Sequence, residues 1–572
     1  MKLKAGLEVH QQLDCGKLFC TCGNLESGNN RRFRRVLHPT SSEMGAIDAA
    51  AKAEGIREFT YYNKSCNCLV YADEEPPRGP NSSAVEIAIQ FAKLVDAKII
   101  EEVQFMRKIV VDGSNTSGFQ RTALIATGGT IDYEGKKLEL EQICLEEDSC
   151  RHGDNKDEYL LDRLGIPLLE ITTKPQLQEP KDVQSAARAL GRLLRACKVK
   201  RGLGTIRQDV NVSIDGGERV ELKGFQDLST MAKVVEKEIN RQEKLKNLKK
   251  GIVKNKKDVT DLIEENRGEA LACKLVGWNG LLGTKDSPEG HVRMGREIAD
   301  HAIKAGVKGL MHSDELPAYG ISEKETKKIY GAVDCKKDDA FILIFDNEGG
   351  AKKALENVIQ RVESRGVPKE VRKVTPEGHT RYLRPMPGAS RMYPETDIAP
   401  INLQNIKVEV PKTLNQREKE LPINAEESKQ MVSRNLDSRF QKLFEQINDY
   451  KNLSRVLLHT IPNLESKGNF VVDDDIIKVL LLVKEGKIAK EGIENALVQS
   501  SEGEKIEVGD DNIEKDVELF IDKLIKDRMD FVKNKGVEAV GPLMGDVMAE
   551  FRGKMDGAKI NALLMDRIKK VI

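Results

Sequence analysis

Apolar and polar positions follow two different periods along this chain. Through residues 1–267 the apolar residues gather in short runs at 103–111, 120–127, 137–145, 168–172, 209–214 and 219–223, which predict strands. Two helical segments interrupt them. Residues 83–98 follow Pro80-Asn81-Ser82, a capped start. In residues 181–201, Val183, Ala186, Ala187, Leu190, Leu193 and Leu194 recur at helical spacing, with Arg188, Arg192 and Arg195 on the other face. A polar helix is expected at 229–247. Residues 268–370 alternate helices (295–305, 323–333, 351–362) with strands (309–312, 340–345), the pattern of a compact α/β module. Residues 371–404 are punctuated by proline and carry arginines and aromatics. They read as site-forming loops returning to the first domain. Beyond them the pattern is helical, as one domain over 405–508 and another over 509–572. The expected fold class is therefore α+β and multidomain: an antiparallel-rich first domain, an inserted α/β module and all-helical C-terminal domains.

A chain of 572 residues is too long for one core, which agrees with several domains. Its 92 basic and 92 acidic residues cancel, so global charge does not mark a nucleic-acid binder. Local clusters remain: lysines across 233–257, and the arginines of 181–201 with Lys198 and Lys200. Each is either a polyanion contact or a solvated helix face. Mean hydropathy is -0.46, and no apolar run reaches the roughly 18 residues of a membrane span. The N-terminus lacks the apolar centre of a signal peptide, so no membrane partner and a cytoplasmic location are expected. Ten cysteines in such a chain do not form a disulfide framework. Cys20/Cys22 and Cys66/Cys68 form two C-x-C pairs, readable as a four-thiolate structural Zn²⁺ site or as reduced core thiols.

The candidate chemistry lies in four acidic segments, Gly6-Leu7-Glu8-Val9-His10, Leu145-Glu146-Glu147-Asp148, Pro167-Leu168-Leu169-Glu170 and Arg207-Gln208-Asp209. Each puts a carboxylate in or beside a strand-like apolar run. A carboxylate there is costly to bury without a cation. Glu8, Glu147, Glu170 and Asp209 suit Mg²⁺, with His10 as a nitrogen ligand. Glu8 and His10 share one strand face by period two. The alternative is unrelated acids at strand ends. Lys108, with the loop Asp112-Gly113-Ser114-Asn115-Thr116-Ser117-Gly118, suits phosphate oxygens; the alternative is a plain hairpin or Ω-loop. Thr127-Gly128-Gly129-Thr130-Ile131 is similar to the nucleophile segment of asparaginase-type amidohydrolases. No Gly-Thr-Asp partner segment accompanies it, and its two glycines predict a hairpin turn.

Together these segments resemble the B/E subunits of tRNA-dependent amidotransferases, most closely the archaeal E type. The match lies in Gly6–His10 with Lys17-Leu18-Phe19-Cys20, in Arg107-Lys108, in residues 112–120, in Leu145–Asp148, in Asp209-Val210-Asn211-Val212-Ser213 and in Glu221-Leu222-Lys223-Gly224. Residues 268–370, with Asp314-Glu315-Leu316-Pro317, resemble an insertion shared with bacterial-type aspartyl-tRNA synthetases. The resemblance implies a cradle domain, residues 1–267 and 371–404, that uses ATP to phosphorylate the side-chain carboxylate of glutamate on tRNA(Gln). Ammonia from an asparaginase-like amidase partner of the D type then displaces the phosphate, the two proteins forming a heterodimer or heterotetramer. It also implies His10, Glu147 and Glu170 as Mg²⁺ ligands, with Glu8 and Asp209 as catalytic or second-ion acids. Lys108 is implied as the catalytic phosphate contact, and Ser114, Asn115 and Ser117 as nucleotide-binding residues. Glu147 is preferred to Glu146, and the two face opposite ways on a strand. The C-terminal helices are implied to grip tRNA. The alternative reading is a non-catalytic tRNA-binding protein built from synthetase-like modules.

Overall fold

The computed structural model describes residues 3–571 apart from 23–30, 42–44, 64–67, 226, 247–249, 284–292, 348, 365, 395, 507–512, 552–554 and 556. The chain divides into a unit of residues 1–411 and a unit of residues 412–572.

The first unit is built on a 12-stranded sheet. Its path runs from Thr380–Pro385 through Glu370–Val374, Val220–Lys223, Ile206–Ile214, Leu3–Gln12, Pro167–Thr173, Lys136–Glu147, Phe119–Thr127 and Phe105–Ile109 to Met392–Tyr393. Pairing along this path is antiparallel except between Val220–Lys223 and Glu370–Val374. Alternation sorts the side chains. Leu7, Val9, Leu169, Ile171, Val210 and Val212 are buried on one face. Helices Ser82–Leu94, Pro180–Leu194 and Met231–Lys246 pack on the sheet. The other face keeps the polar residues.

The two ends of this path lie close together in sequence. Only seven residue steps separate Pro385, at one edge, from Met392, at the other. Seven steps span at most about 25 Å, whereas nine interstrand spacings in a flat sheet cover about 43 Å. The sheet must therefore curve, and residues 386–391 cross its concave side.

The Gly128-Gly129 pair corrects one expectation. Both glycines have positive φ (69° and 95°), yet no hairpin turns there. Phe119–Thr127 and Thr130–Tyr133 both pair with Lys136–Glu147, as Thr127 opposite Gln142 and Thr130 opposite Glu139. The glycines bend one continuous edge. The reversal comes at Glu134-Gly135, whose φ values of 46° and 77° suit a tight hairpin. Two arginine-bearing strands escaped the apolar pattern, Arg31–Leu37 and Arg57–Asn63. There, ring stacking of Phe33 on Tyr61 at 5.3 Å and Arg35 over Phe33 at 4.8 Å take the place of an aliphatic run.

Within the first unit a separate four-stranded sheet is formed by Val253–Asp258, Glu269–Leu275, Ala340–Asp346 and Met311–His312. Its first strand precedes the boundary expected at 268, because Val253–Asp258 reads as a polar lysine run rather than a strand. It is an edge strand, and its exposed Lys254, Lys256 and Lys257 discourage edge-to-edge pairing. Helices Met294–Ile303 and Ala351–Glu363 pack on each other and join the main sheet through buried charges. Glu297 accepts hydrogen bonds from Arg241 (2.7 Å), Arg361 (3.4 Å) and Arg372 (3.2 and 3.3 Å), and Glu370 accepts from Arg241 and Arg372.

In residues 412–572 the described elements are helices. They form two cores, one around Phe440, Leu443, Leu453 and Leu480, the other around Val517, Ile521, Leu543 and Leu564. No helix among the described residues is long and apolar enough to cross a membrane.

Candidate active site

Strand Leu3–Gln12 runs through the middle of the concave face and presents Glu8 and His10, two residues apart. Neighbouring strands supply what stands opposite: Glu170 is in register with His10, and Asp209 with Glu8. One strand further, Glu146 points to the same side. His10 Nε2 lies 3.6 Å from Glu8, 3.6 Å from Glu146 and 3.7 Å from Glu170. Lys108 Nζ donates to Glu146 at 2.8 Å and to Glu170 at 3.0 Å. His10, Glu146 and Glu170 can offer one ligand atom each within a metal-sized volume, as can Glu8, His10 and Asp209. Two buried carboxylates, a buried imidazole whose Nδ1 has no partner and a single bridging lysine fit a divalent cation in chemical character.

The charges are strongly coupled. Burial alone would pull His10 down. The hydrogen bond to Glu170 and the charges of Glu146, Glu170 and Glu8 outweigh it and push His10 up to about 9. Lys108 rises for the same reason, its two carboxylates overcoming burial. Burial raises Glu146 against the pull of Lys108. In Glu170, burial is overcome by Lys108 and His10, which hold it well below the usual carboxylate range. Glu146 and Glu170 therefore titrate as a pair.

The structure does not bring all of the expected ligands together. Glu147 does not reach this cluster. It turns to the opposite side of its strand, where its carboxylate accepts from Arg121 N at 2.9 Å and Arg121 Nη1 at 3.3 Å. Arg121 in turn binds Asp397 at 2.8 and 3.1 Å. Glu146 takes its place beside His10 and Glu170. The reason is a one-residue slip at Glu141: Thr172 pairs with Gln142 but Thr173 with Leu140. Before the slip the buried apolar residues are Leu138 and Leu140; after it they are Ile143 and Leu145. Glu147 falls in phase with Ile143 and Leu145.

A second charged group adjoins the first. Lys223 Nζ stands 2.6 Å from Asp209 and 2.5 Å from Glu221. Glu221 and Lys223 were not among the expected site residues, although period two on one short strand and the pairing of Glu221 with Asn211 carry the signal.

These residues line a cleft of about 770 Å³ that also includes Asp112, Ser114, Asn115, Gln120, Arg163, Arg207, Arg384 and Arg391. The 112–118 loop is seated by aromatics. Tyr159 OH donates to Asp112 O at 2.6 Å and Tyr61 OH to Gly113 O at 2.8 Å. A Cβ on Gly113 would come within 2.5 Å of the Phe59 and Tyr159 rings. Ser114 N and Oγ both donate to Asp112, so this amide is already satisfied. The side-chain amide of Asn115 is buried without a hydrogen-bond partner. Ser117 departs from expectation: it lines a different cleft with Arg35, His38 and Arg107, and its hydroxyl donates to Phe119 O. Thr130 is exposed and lies outside the main cleft. Elsewhere, the sulfur atoms of Cys20, Cys22 and Cys68 lie within 4.8 Å of one another; Cys66 falls outside the described residues.

Compared with known proteins, residues 3–409 match the GatB/GatE catalytic domain and residues 438–568 the GatB domain. The chain is 40% identical to proteins named as the E-type subunit of glutamyl-tRNA(Gln) amidotransferase from Archaeoglobus fulgidus, Thermococcus gammatolerans and Methanocaldococcus jannaschii. Each alignment covers 100% of this chain, and 98%, 98% and 99% of the respective relative. A catalytic-domain match over most of the chain, with relatives aligned along nearly their full length, means that this chain belongs to the GatB/GatE family.

Proposed function

We propose that this chain is the kinase and transamidation component of a tRNA-dependent amidotransferase that converts Glu-tRNA(Gln) to Gln-tRNA(Gln). The observation that carries the reading is the buried trio His10, Glu146 and Glu170 bridged by Lys108, at the centre of a cleft in a chain matched throughout to E-type relatives. In the first step a side-chain carboxylate oxygen of the tRNA-borne glutamate attacks the γ-phosphorus of ATP, and ADP leaves. In the second, ammonia attacks the carbonyl carbon of the acyl phosphate, phosphate leaves and one proton is released.

His10, Glu146 and Glu170 would hold Mg²⁺, which supplies positive charge to the polyphosphate. Lys108 stabilises the charge that develops on the transferring phosphoryl group. Glu8, pushed above the usual carboxylate range by burial, is placed to take the proton from the attacking ammonia. Asp209 and Glu221 hold Lys223 at the same face. Asn115 and Ser114 line the nucleotide end of the cleft. Cys20, Cys22 and Cys68 would supply three thiolate ligands of a structural Zn²⁺ site. The ammonia donor is an asparaginase-like amidase of the D type, and the C-terminal helices hold the tRNA.

The test is the purified chain with MgATP, ammonium and Glu-tRNA(Gln). Gln-tRNA(Gln), ADP and phosphate should form in equal amounts. Binding of tRNA without product or ADP would leave the non-catalytic alternative standing instead.

A further inference from the structure

Ion pairing in the cleft is uneven. Seven lysine and arginine side chains line it. Four are matched: Lys108 by Glu146 and Glu170, Lys223 by Asp209 and Glu221, Arg163 and Arg207 by Asp148. The remaining three, Arg219, Arg384 and Arg391, make no ion pair with any described residue. Arg219 donates from Nε and Nη2 to the sulfur of Met386, at 3.1 and 3.0 Å, and a thioether is a weak acceptor. Arg391 donates from Nε to Ile109 O at 3.3 Å, which leaves its other donors open. Arg384 and Arg391 also share the lining of a small adjoining pocket. Burial and the like charge of Arg384 pull Arg391 down, and the more distant charges of Glu146, Glu170 and Asp112 do not make up the difference.

Setting Arg384 and Arg391 close together in a partly buried cleft, with neither ion-paired, is unfavourable unless an anion joins them. The topology of the sheet imposes that placement. Arg384 lies on one edge strand of the curved sheet, and Arg391 at the end of the short segment that crosses to the other edge. Both thus border the crossing of the concave face that bears His10, Glu146 and Glu170.

We infer that Arg219, Arg384 and Arg391 form a wall that binds the polyphosphate oxygens of a nucleoside triphosphate, with the acid cluster lining the same cleft. The inference rests on the ATP-dependent reading above. Guanidinium forks match phosphate oxygens in pairs. Several of them converging on one cleft suit the clustered charge of a triphosphate. A nucleic-acid backbone instead spreads its charges singly along its length.

The test uses the full chain and the variants R384Q, R391Q and R219Q. Calorimetry would measure binding of MgADP and of a non-hydrolysable MgATP analogue, and filter binding would measure uncharged tRNA(Gln). Loss of one charge-assisted contact should raise the nucleotide Kd about 10- to 100-fold while the tRNA Kd moves less than about 3-fold. Far-UV circular dichroism checks folding; exposed Arg219 provides the test if R391Q does not fold. Unchanged nucleotide Kd in R219Q and R384Q, with the wild type binding normally, overturns the wall alone. A rise in tRNA Kd without a change for nucleotide assigns the arginines to backbone phosphates and also overturns it. A wild-type chain that binds neither nucleotide overturns the ATP reading and the wall together.

Discussion

Adjacent glutamates on one strand give the sharpest test of this site. Glu146→Gln and Glu147→Gln are the same chemical change one residue apart, on opposite faces of Lys136–Glu147. Glu146 contacts Lys108 at 2.8 Å and His10 at 3.6 Å, so E146Q removes one charge from the proposed ligand trio. Even residues that only support a metal ligand change affinity about 10- to 100-fold, so the Mg²⁺ requirement should rise by at least that factor. Glu147 has no part in the trio. E147Q weakens its contacts to Arg121, but Arg121 keeps Asp397 at 2.8 and 3.1 Å. The loss should then be that of one charge-assisted pair, about 1–3 kcal/mol of folding stability, with the Mg²⁺ requirement unchanged. ADP formation against Mg²⁺ concentration reads the first effect, and urea unfolding reads the second. Mn²⁺ binding followed by electron paramagnetic resonance checks the metal without turnover. A larger metal defect in E147Q than in E146Q would refute the placement of the site.

Further outcomes follow from the same geometry. Lys108→Met should lower the rate of transamidation about 100- to 1000-fold, the usual loss of one group aimed at developing charge, with tRNA affinity unchanged in filter binding; an unaltered rate removes Lys108 from the chemistry. Glu297→Gln leaves Arg241, Arg361 and Arg372 short of one carboxylate in a fully buried network, and should cost about 3–5 kcal/mol in urea unfolding; a loss under about 1 kcal/mol contradicts the network's role. His301 is driven by burial down to about 3 despite nearby Glu297, so between its ordinary value near 6.5 and about 3 it is neutral when folded and protonated when unfolded. Stability should therefore fall as pH drops through that window, and His301→Gln should flatten part of the slope in unfolding titrations. Cys68→Ser should lower bound zinc, measured by elemental analysis, together with the melting temperature; equal zinc in both proteins argues against the thiol site.

Much of this was legible in the sequence, and the reason is local periodicity. A strand turns alternate side chains to one face, so spacing alone puts Glu8 and His10 on a common side. The same rule found most strands of the main sheet and the apolar stripe of Pro180–Leu194, because burial against a single face imposes a short-range repeat. It failed where something other than an aliphatic run stabilises the element. Arg31–Leu37 pairs through rings and arginines, and Val253–Asp258 is a solvated edge.

Tertiary structure alone decided the rest. Whether Glu146 or Glu147 joins His10 depends on a single slipped residue at Glu141, since one extra residue reverses every side chain beyond it. Which cleft Ser117 faces, and where the Gly128-Gly129 bend leads, depend on pairings with strands distant in sequence. The meeting of Arg219, Arg384 and Arg391 with the cluster around Glu8 and His10 depends on the curvature of the whole sheet. The sequence settled which faces carry charge, because that needs only neighbours two residues apart. Which charges meet was set by register and curvature, which belong to no single segment.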